Sequence, residues 1–266
     1  MNEQVHNSDG SATHGAGRRW AILAYGVASY AVFFATFLYA IGFIGNLLVP
    51  TTLDGATEEG LMTALAIDLA LLALFAVQHS VMARPAFKRW WTRIVPQAAE
   101  RSTYVLASSL ALIAMFVLWQ PLGGEVWRIE DPAGQALMYA GYAFGWGLVL
   151  VATFLINHFD LFGLRQVWLQ FRNRPYTQLR FVMPLPYRIV RHPLYVGWLF
   201  AFWCTPTMTA SHLVFAVMTT TYILIAIRLE ERDLVAEHGS DYQRYQQEVP
   251  MLIPRVTQRV TRPETA

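Results

Sequence analysis

The sequence has little charge and almost no cysteine. Only 14% of its 266 residues are Asp, Glu, Lys or Arg, against about 25% in an ordinary soluble domain. Too few charged groups remain to wet the surface of a cytosolic enzyme. A single cysteine, Cys204, excludes an internal disulfide and a cluster of thiolate ligands. No Cys-x-x-Cys or His-x-x-x-His spacing occurs, so no metal site is expected. Neither a Gly-x-Gly-x-x-Gly turn nor a Walker loop is present, which removes the soluble nucleotide folds. Twenty basic residues against 18 acidic ones leave a net charge of +2, so no nucleic-acid partner is expected. What is plentiful is apolar: 55% of residues are hydrophobic and the mean hydropathy is +0.33. An all-α polytopic membrane bundle fits this balance.

The segments support that class. Residues 1–17 are small and polar and read as a disordered tail, without the apolar core of a signal peptide. Residues 18–266 then read as one membrane-embedded domain. Apolar runs at Trp20–Val49, Leu61–Met82, Ser102–Leu122 and Gln135–His158 each reach the ~20 residues that cross a bilayer as helix. Two shorter runs follow, Leu194–Thr205 and His212–Ile227, separated by Pro206 and a polar stretch. Together they predict a helix–turn–helix hairpin as the last of about five spans. Beyond Ile227 the chain turns polar, with Gly239 as a helix stop and a short amphipathic helix around Asp241–Glu248, a C-terminal cap. Of the 20 basic residues, 19 fall in the tail-side and alternate loops, and only Arg128 falls on the other side with Asp54, Glu58, Glu59, Glu125, Glu130 and Asp131. The positive-inside rule then puts both termini in the cytoplasm.

Ionisable groups in apolar spans are costly, so each is a functional candidate. Asp68 and His79 share a face of the second span about 16 Å apart. His79, in Gln78-His79-Ser80 near the cytoplasmic end, reads either as a capped interhelical histidine or as a catalytic one. Asp68 reads as structural. Asn157-His158-Phe159-Asp160 closes the fourth span and reads as interface chemistry or as a pocket mouth. The strongest local signal is Tyr187-Arg-Ile-Val-Arg191-His192-Pro193-Leu-Tyr195-Val-Gly197. Proline suits the first helical turn, so Arg191 and His192 stand at a helix start whose orphan N–H groups favour a carboxylate or phosphate. Gly197 permits close approach of a helix or a ligand. Glu230-Glu231 follows where the hairpin returns, as a partner for Arg191, Arg228 or a cationic ligand. Tyr242 and Tyr245, three apart, present an aromatic face.

In order, Arg191-His192-Pro193-x-Tyr195-x-Gly197, Glu230-Glu231-x-x-Leu234, Gly239-x-x-Tyr242-x-x-Tyr245 and Pro254 resemble the C-terminal signature of the isoprenylcysteine carboxyl methyltransferase superfamily. The stretches Phe37–Leu47, Ala76–Trp91, Thr153–Trp168 and Leu229–Pro254 extend the likeness to its NnrU-like branch, and within that to bacterial enzymes that methylate methanethiol. The resemblance implies an S-adenosylmethionine (SAM) site over about residues 155–254, with methyl transfer to a small thiol giving dimethyl sulfide. It implies that Arg191, His192 and Tyr195 hold the cofactor's amino-acid end, that Gly197 permits close packing, that Glu231 with Glu230 pairs with Arg191 or contacts the ligand, and that Tyr242 and Tyr245 close over the adenosine, with Tyr187 and Pro193 in the same cofactor-binding set.

An alkyl thiol is mostly protonated at neutral pH, and its thiolate is the nucleophile, so a base is wanted. His79 is the first candidate and His158, oriented by Asp160, the second. Glu231 stands with them as a candidate catalytic carboxylate. Phe154, Phe159, Phe162 and Trp168 are candidates for an aromatic substrate wall. The alternatives are a superfamily methyltransferase acting on a prenyl-cysteine or a phospholipid, a NADPH-dependent membrane reductase with a similar Arg-His-Pro-x-Tyr hairpin, and a non-enzymatic transporter with Asp68 and His79 as relay groups.

Overall fold

The computed structural model describes residues 9–56, 60–177, 179 and 184–255. Residues 1–8, Glu58, Glu59, Arg180, Arg259 and Arg262, which enter the tail and loop-charge expectations, lie outside them. Helices account for most of the chain: α1 (Asp9–Gly45), α2 (Leu61–Ala83), α3 (Pro85–Trp91), α4 (Gln97–Leu118), α5 (Pro132–Ile156), α6 (His158–Leu161), α7 (Leu164–Phe171), α8 (Leu185–Ile189), α9 (Pro193–Trp203), α10 (Ala210–His238) and α11 (Ser240–Glu248). Two short strands, β1 (Glu125–Arg128) and β2 (Thr207–Thr209), pair antiparallel. Among the described residues five helices, α1, α2, α4, α5 and α10, are long and apolar enough to cross a membrane. This is the expected all-α polytopic bundle. One difference lies at the start, where α1 begins at Asp9, inside the stretch expected to be a tail.

Local chemistry sets the helix ends. Asp131 caps α5 by accepting from the Gly134 backbone N–H at 2.7 Å, with Pro132 in the first turn, where no N–H is needed. Thr209 caps α10 by accepting from the His212 N–H at 3.1 Å. Gly239, at φ +58°, ends α10 and lets the chain turn into α11, as the sequence predicts.

The terminal hairpin differs from expectation in its second arm. The run His212–Ile227 is the front of a continuous 29-residue helix, α10, which is a full span by itself. Only α9 is short. Its 11 residues rise about 16 Å, roughly half of a hydrocarbon core. The extended segment Cys204–Thr209 completes the crossing. Extended backbone at that depth must find partners within the protein. It finds them in the loop and strand after α4: Ile129 N–H donates to Pro206 O at 2.8 Å, Ala210 N–H to Gly124 O at 3.2 Å, and β2 pairs with β1. The buried His212 ring joins the two arms, with Nε2 2.9 Å from Phe202 O. Asp68, fully buried, accepts from the Gln120 N–H at 2.9 Å and so closes the end of α4, in keeping with its structural reading.

The main core gathers Phe43, Phe116, Trp119, Trp146, Phe202 and Phe215 between α1, α4, α5, α9 and α10. The closest helix contact is between α5 and α9, and small residues make it possible. A Cβ on Gly145 would lie 2.6 Å from Ala201 N and 2.7 Å from Gly197 O; one on Gly197 would lie 2.8 Å from Gly145 O. Gly197 is therefore where α9 meets α5 backbone to backbone. Gly147, two residues from Gly145, faces open space. Gly145→Ala is expected to cost about 1–3 kcal/mol by overpacking. It should lower the thermal unfolding midpoint in detergent, while Gly147→Ala leaves that midpoint unchanged.

Candidate active site

The residues of the Arg191 signature converge at one end of the bundle, the end that carries most of the basic side chains. Helix α8 stops at Ile189, Val190 is extended, and the chain bends at Arg191 before His192 and Pro193 start α9. The C-terminal segment after α11 lies alongside: Arg191 N–H donates to Pro250 O at 2.8 Å and His192 N–H to Met251 O at 3.2 Å. Across from them, α10 presents Glu230 and Glu231. Arg191 Nε donates to Glu231 Oε1 at 2.7 Å, and His192 Nε2 stands 2.9 Å from the same oxygen. Gln246 of α11 donates to Glu231 Oε2 at 2.9 Å. Arg191 Nη1 donates to two cap carbonyls, Gln246 O at 2.9 Å and Val249 O at 2.5 Å. Tyr195, one turn into α9, donates to Glu230 Oε2 at 2.9 Å.

This cluster is largely shielded from water. Side-chain exposure is 11% for Arg191, 13% for Glu231 and 5% for His192. The expected Arg191–Glu231 pairing is formed. A shielded pair of this kind gains little over an apolar replacement, yet losing one partner costs several kcal/mol, because the other charge is stranded. The clasp therefore fixes where α9, α10 and the cap meet. Its acidic pair, guanidinium, imidazole and phenol together suit a zwitterionic, positively charged ligand. Glu230 and Glu231 match cationic groups, and Arg191 matches a carboxylate.

Tyr242 and Tyr245 are placed differently from the expected open aromatic face. Both are buried between α11 and α10, against Leu234, Val235 and Val249. Their rings meet edge to face at 5.6 Å, and Tyr245 Oη donates to Tyr187 O at 2.6 Å. Burial pushes the Tyr245 phenol up to about 12. Burial and the nearby Glu230 also raise Tyr187. The three tyrosines hold the cap and α8 together behind the clasp.

The two histidine candidates occupy separate places. His79 lies between α2 and α4. Its Nε2 is 2.8 Å from Tyr104 Oη, its Nδ1 is 3.1 Å from Ser108 Oγ, and Phe75 stacks on it at 5.1 Å. Helix α10 adds Tyr222, whose hydroxyl is 3.1 Å from Ser80 Oγ and whose ring meets Phe75. The Ser80–Tyr222 contact thus sets the His79 end of α2 against α10, the helix that carries Glu230. Arg84, at the end of α2, pairs with Asp233 of α10 at 2.9 Å and closes the same side.

His158 sits at the joint of α1, α5 and α6. Both ring nitrogens are engaged there, Nε2 with Tyr30 Oη at 2.8 Å and Nδ1 with Thr153 Oγ1 at 2.9 Å. Phe154 stacks on it at 4.3 Å, and burial lowers its pKa from the usual imidazole value. Asp160 does not orient it. That carboxylate accepts instead from Arg165 at 2.8 Å and from Tyr176 at 3.2 Å. Phe154, Phe159 and Phe162 surround His158 rather than His79, and Trp168 stacks with Phe171 elsewhere. The expected aromatic wall and the expected base thus lie apart. A cavity of about 400 Å³ between α1 and α4 is lined by Arg18, Ile22, Tyr25, Trp91, Pro96 and Thr103, and it contains none of the candidate residues.

Comparison with known proteins completes the description. No protein-family model matches the chain, and no solved structure matches it. Among curated proteins, a methanethiol S-methyltransferase from Crocosphaera subtropica is 58% identical over 236 residues, 89% of this chain and 92% of that protein. The chain belongs to the methanethiol S-methyltransferase family. A second such enzyme, from Mycobacterium tuberculosis, is 51% identical over 237 residues, 89% of this chain and 97% of that protein. The mouse protein nurim is 30% identical over 226 residues, 80% of this chain and 86% of its own length, which extends the likeness beyond methanethiol S-methyltransferases. The chain is thus a membrane-embedded methyltransferase by family and by fold.

Sequence reasoning missed Tyr104, Ser108 and Gln246. A signal existed for the first two, since they are polar residues four apart in an apolar span and so share a helix face. Gln246 and the cap carbonyls carry none. Glu231→Ala should strand Arg191 and cost roughly 3–5 kcal/mol. Limited proteolysis should then cut the chain between α10 and Arg255 faster than in the wild type.

Proposed function

We propose that this chain methylates methanethiol to dimethyl sulfide with SAM as donor, at the basic end of the bundle, which faces the cytoplasm of a bacterial inner membrane. One observation carries the reading: the Arg191–His192–Tyr195 corner and the Glu230–Glu231 pair, far apart in sequence, form one hydrogen-bonded cluster beside an apolar interior. Family membership supports the thiol and the methyl transfer. The charge asymmetry of the loops supports the orientation.

Arg191, His192, Tyr195, Glu230 and Glu231 would hold the amino-acid end of SAM, and that cofactor supplies a methyl group on a positively charged sulfur. Pro193 starts α9 directly behind those contacts. Gly197 seats the helix on α5. Tyr187, Tyr242 and Tyr245 act from behind, by holding the cap against the clasp. The leaving group of this transfer is a neutral thioether and needs no acid. The chain's own tasks are to align the thiol, keep water out and remove its proton.

His79 is the base this arrangement favours. It lies on α2 beside Ser80, which meets Tyr222 of α10, the helix that carries Glu230 and Glu231, whereas His158 sits at the separate joint of α1, α5 and α6. A positioned base contributes about 10²–10⁴-fold in rate. Purified protein supplied with SAM and methanethiol should release dimethyl sulfide into the headspace. His79→Ala should lower turnover by that order while calorimetry shows unchanged SAM affinity. Unchanged turnover across the pH range would remove His79 from the reaction.

A further inference from the structure

We propose that the groove between α1 and α4 holds one anionic phospholipid, with its phosphate at Arg18 and Trp91 and an acyl chain along the apolar wall. The proposal does not rest on the methyl-transfer reading, since the groove contains none of the residues assigned to that reaction. Its volume of about 400 Å³ is that of a small-ligand site. Arg18, Ile22 and Tyr25 lie on one face of α1, because they are spaced by helical turns. Ala99 and Thr103 do the same at the start of α4. Trp91 closes the groove from the segment before α4, and Phe87 stacks on its ring at 5.8 Å.

The chemistry of the lining is divided. Tyr25 Oη donates to Thr103 Oγ1 at 3.0 Å, and Thr103 Oγ1 donates to Ala99 O at 2.9 Å, so these hydroxyls spend their protons on the protein. What they leave is an apolar wall with two uncommitted side-chain donors, the Arg18 guanidinium and the Trp91 indole. Trp91 Nε1 is buried and has no hydrogen-bond partner. A buried donor of that kind calls for an acceptor. No acidic side chain lines the groove. Among the described residues no carboxylate pairs with Arg18, Arg19 or Arg93, which stand in the lining or next to it in the chain. The fixed charge is therefore positive and unopposed, which suits a phosphate and offers nothing to a cationic head group. Depth fits as well. Arg18 stands where the apolar run of α1 begins, and the exposed Trp20 and Trp90 mark the same level, as aromatic residues do at a membrane surface. Basic pockets between spans at that level take the head groups of anionic lipids. The wall is shared with the small core of Ile22, Ala99 and Val167 that seats α7, so a bound chain covers that core from the lipid side.

The full chain, stripped of lipid in a non-ionic detergent, tests the site. Native mass spectrometry should show one phosphatidylglycerol retained per chain and much less phosphatidylcholine with the same acyl chains. Phosphatidylglycerol should raise the thermal unfolding midpoint, because it binds the folded state, and inorganic phosphate should not. Arg18→Gln should weaken phosphatidylglycerol binding about fivefold. Trp91→Phe removes the N–H and keeps an aromatic ring, and should weaken it roughly tenfold or more. Ala21→Trp, which fills the groove, should abolish retention. The last two variants leave the charge unchanged, so lipid gathered by surface charge alone would stay bound in them. Trp91→Phe also decides the matter if Arg18→Gln does not fold. Equal retention of the two lipids, an equal gain from inorganic phosphate, or undiminished binding in Trp91→Phe and Ala21→Trp would overturn the proposal. Release of dimethyl sulfide is a separate readout, and its absence would count against the methyl-transfer reading alone.

Discussion

The site depends on one carboxylate. Glu231 receives Arg191 from the start of α9, His192 beside it and Gln246 from the cap, and it carries them on α10. Three pieces of chain separated by up to 58 residues are joined there, since Arg191 also reaches the carbonyl of Val249. In a membrane bundle, apolar faces give little direction to helix association, because lipid is as apolar as the helices. A shielded ion pair with two further hydrogen bonds does give direction. It sets the register of α9 against α10, and the cap then seals the polar cluster from solvent.

The shortness of α9 follows from the same requirement. A helix that began at the membrane surface and crossed fully would leave its N-terminus far from the interior. With only 11 residues, α9 needs the extended Cys204–Thr209 segment to finish the crossing, and that segment is tolerable because β1 and the loop around Gly124 satisfy its backbone. Gly145 and Gly197 then let α9 lie close against α5, which leaves its other side for Tyr195 to meet Glu230. The α2–α4 pair holds His79, Tyr104 and Ser108 together. In the proposed function, cofactor contacts and the thiol's base therefore come from different halves of the chain.

Much of this was legible before any coordinates. Runs of about 20 apolar residues identify spans by length alone, and Pro193, Gly239 and the Glu230–Glu231 pair mark helix ends and charges by local rules. The α10 span was misjudged because Arg228 ends the apolar run at Ile227, short of the ~20 residues of a span, whereas helical hydrogen bonding carries it on unbroken to His238. Burial of Tyr242 and Tyr245 was not legible. Spacing gives their shared face and says nothing about what covers it. Asp160 shows the same limit, since a carboxylate two residues from a histidine looks like its partner until Arg165 claims it. Backbone acceptors such as Pro250 O and Val249 O have no side-chain signature and appear only when the chain is folded.

The central claim is that the clasp of Arg191, His192 and Glu231 forms the floor of the cofactor site. An experimental structure with S-adenosylhomocysteine bound tests it most directly. The account predicts the homocysteine carboxylate and ammonium within hydrogen-bonding distance of Arg191, Tyr195 or the Glu230–Glu231 pair, with the sulfur directed toward His79. A ligand lodged instead in the cavity beside Trp91, or among the phenylalanines around His158, would contradict it.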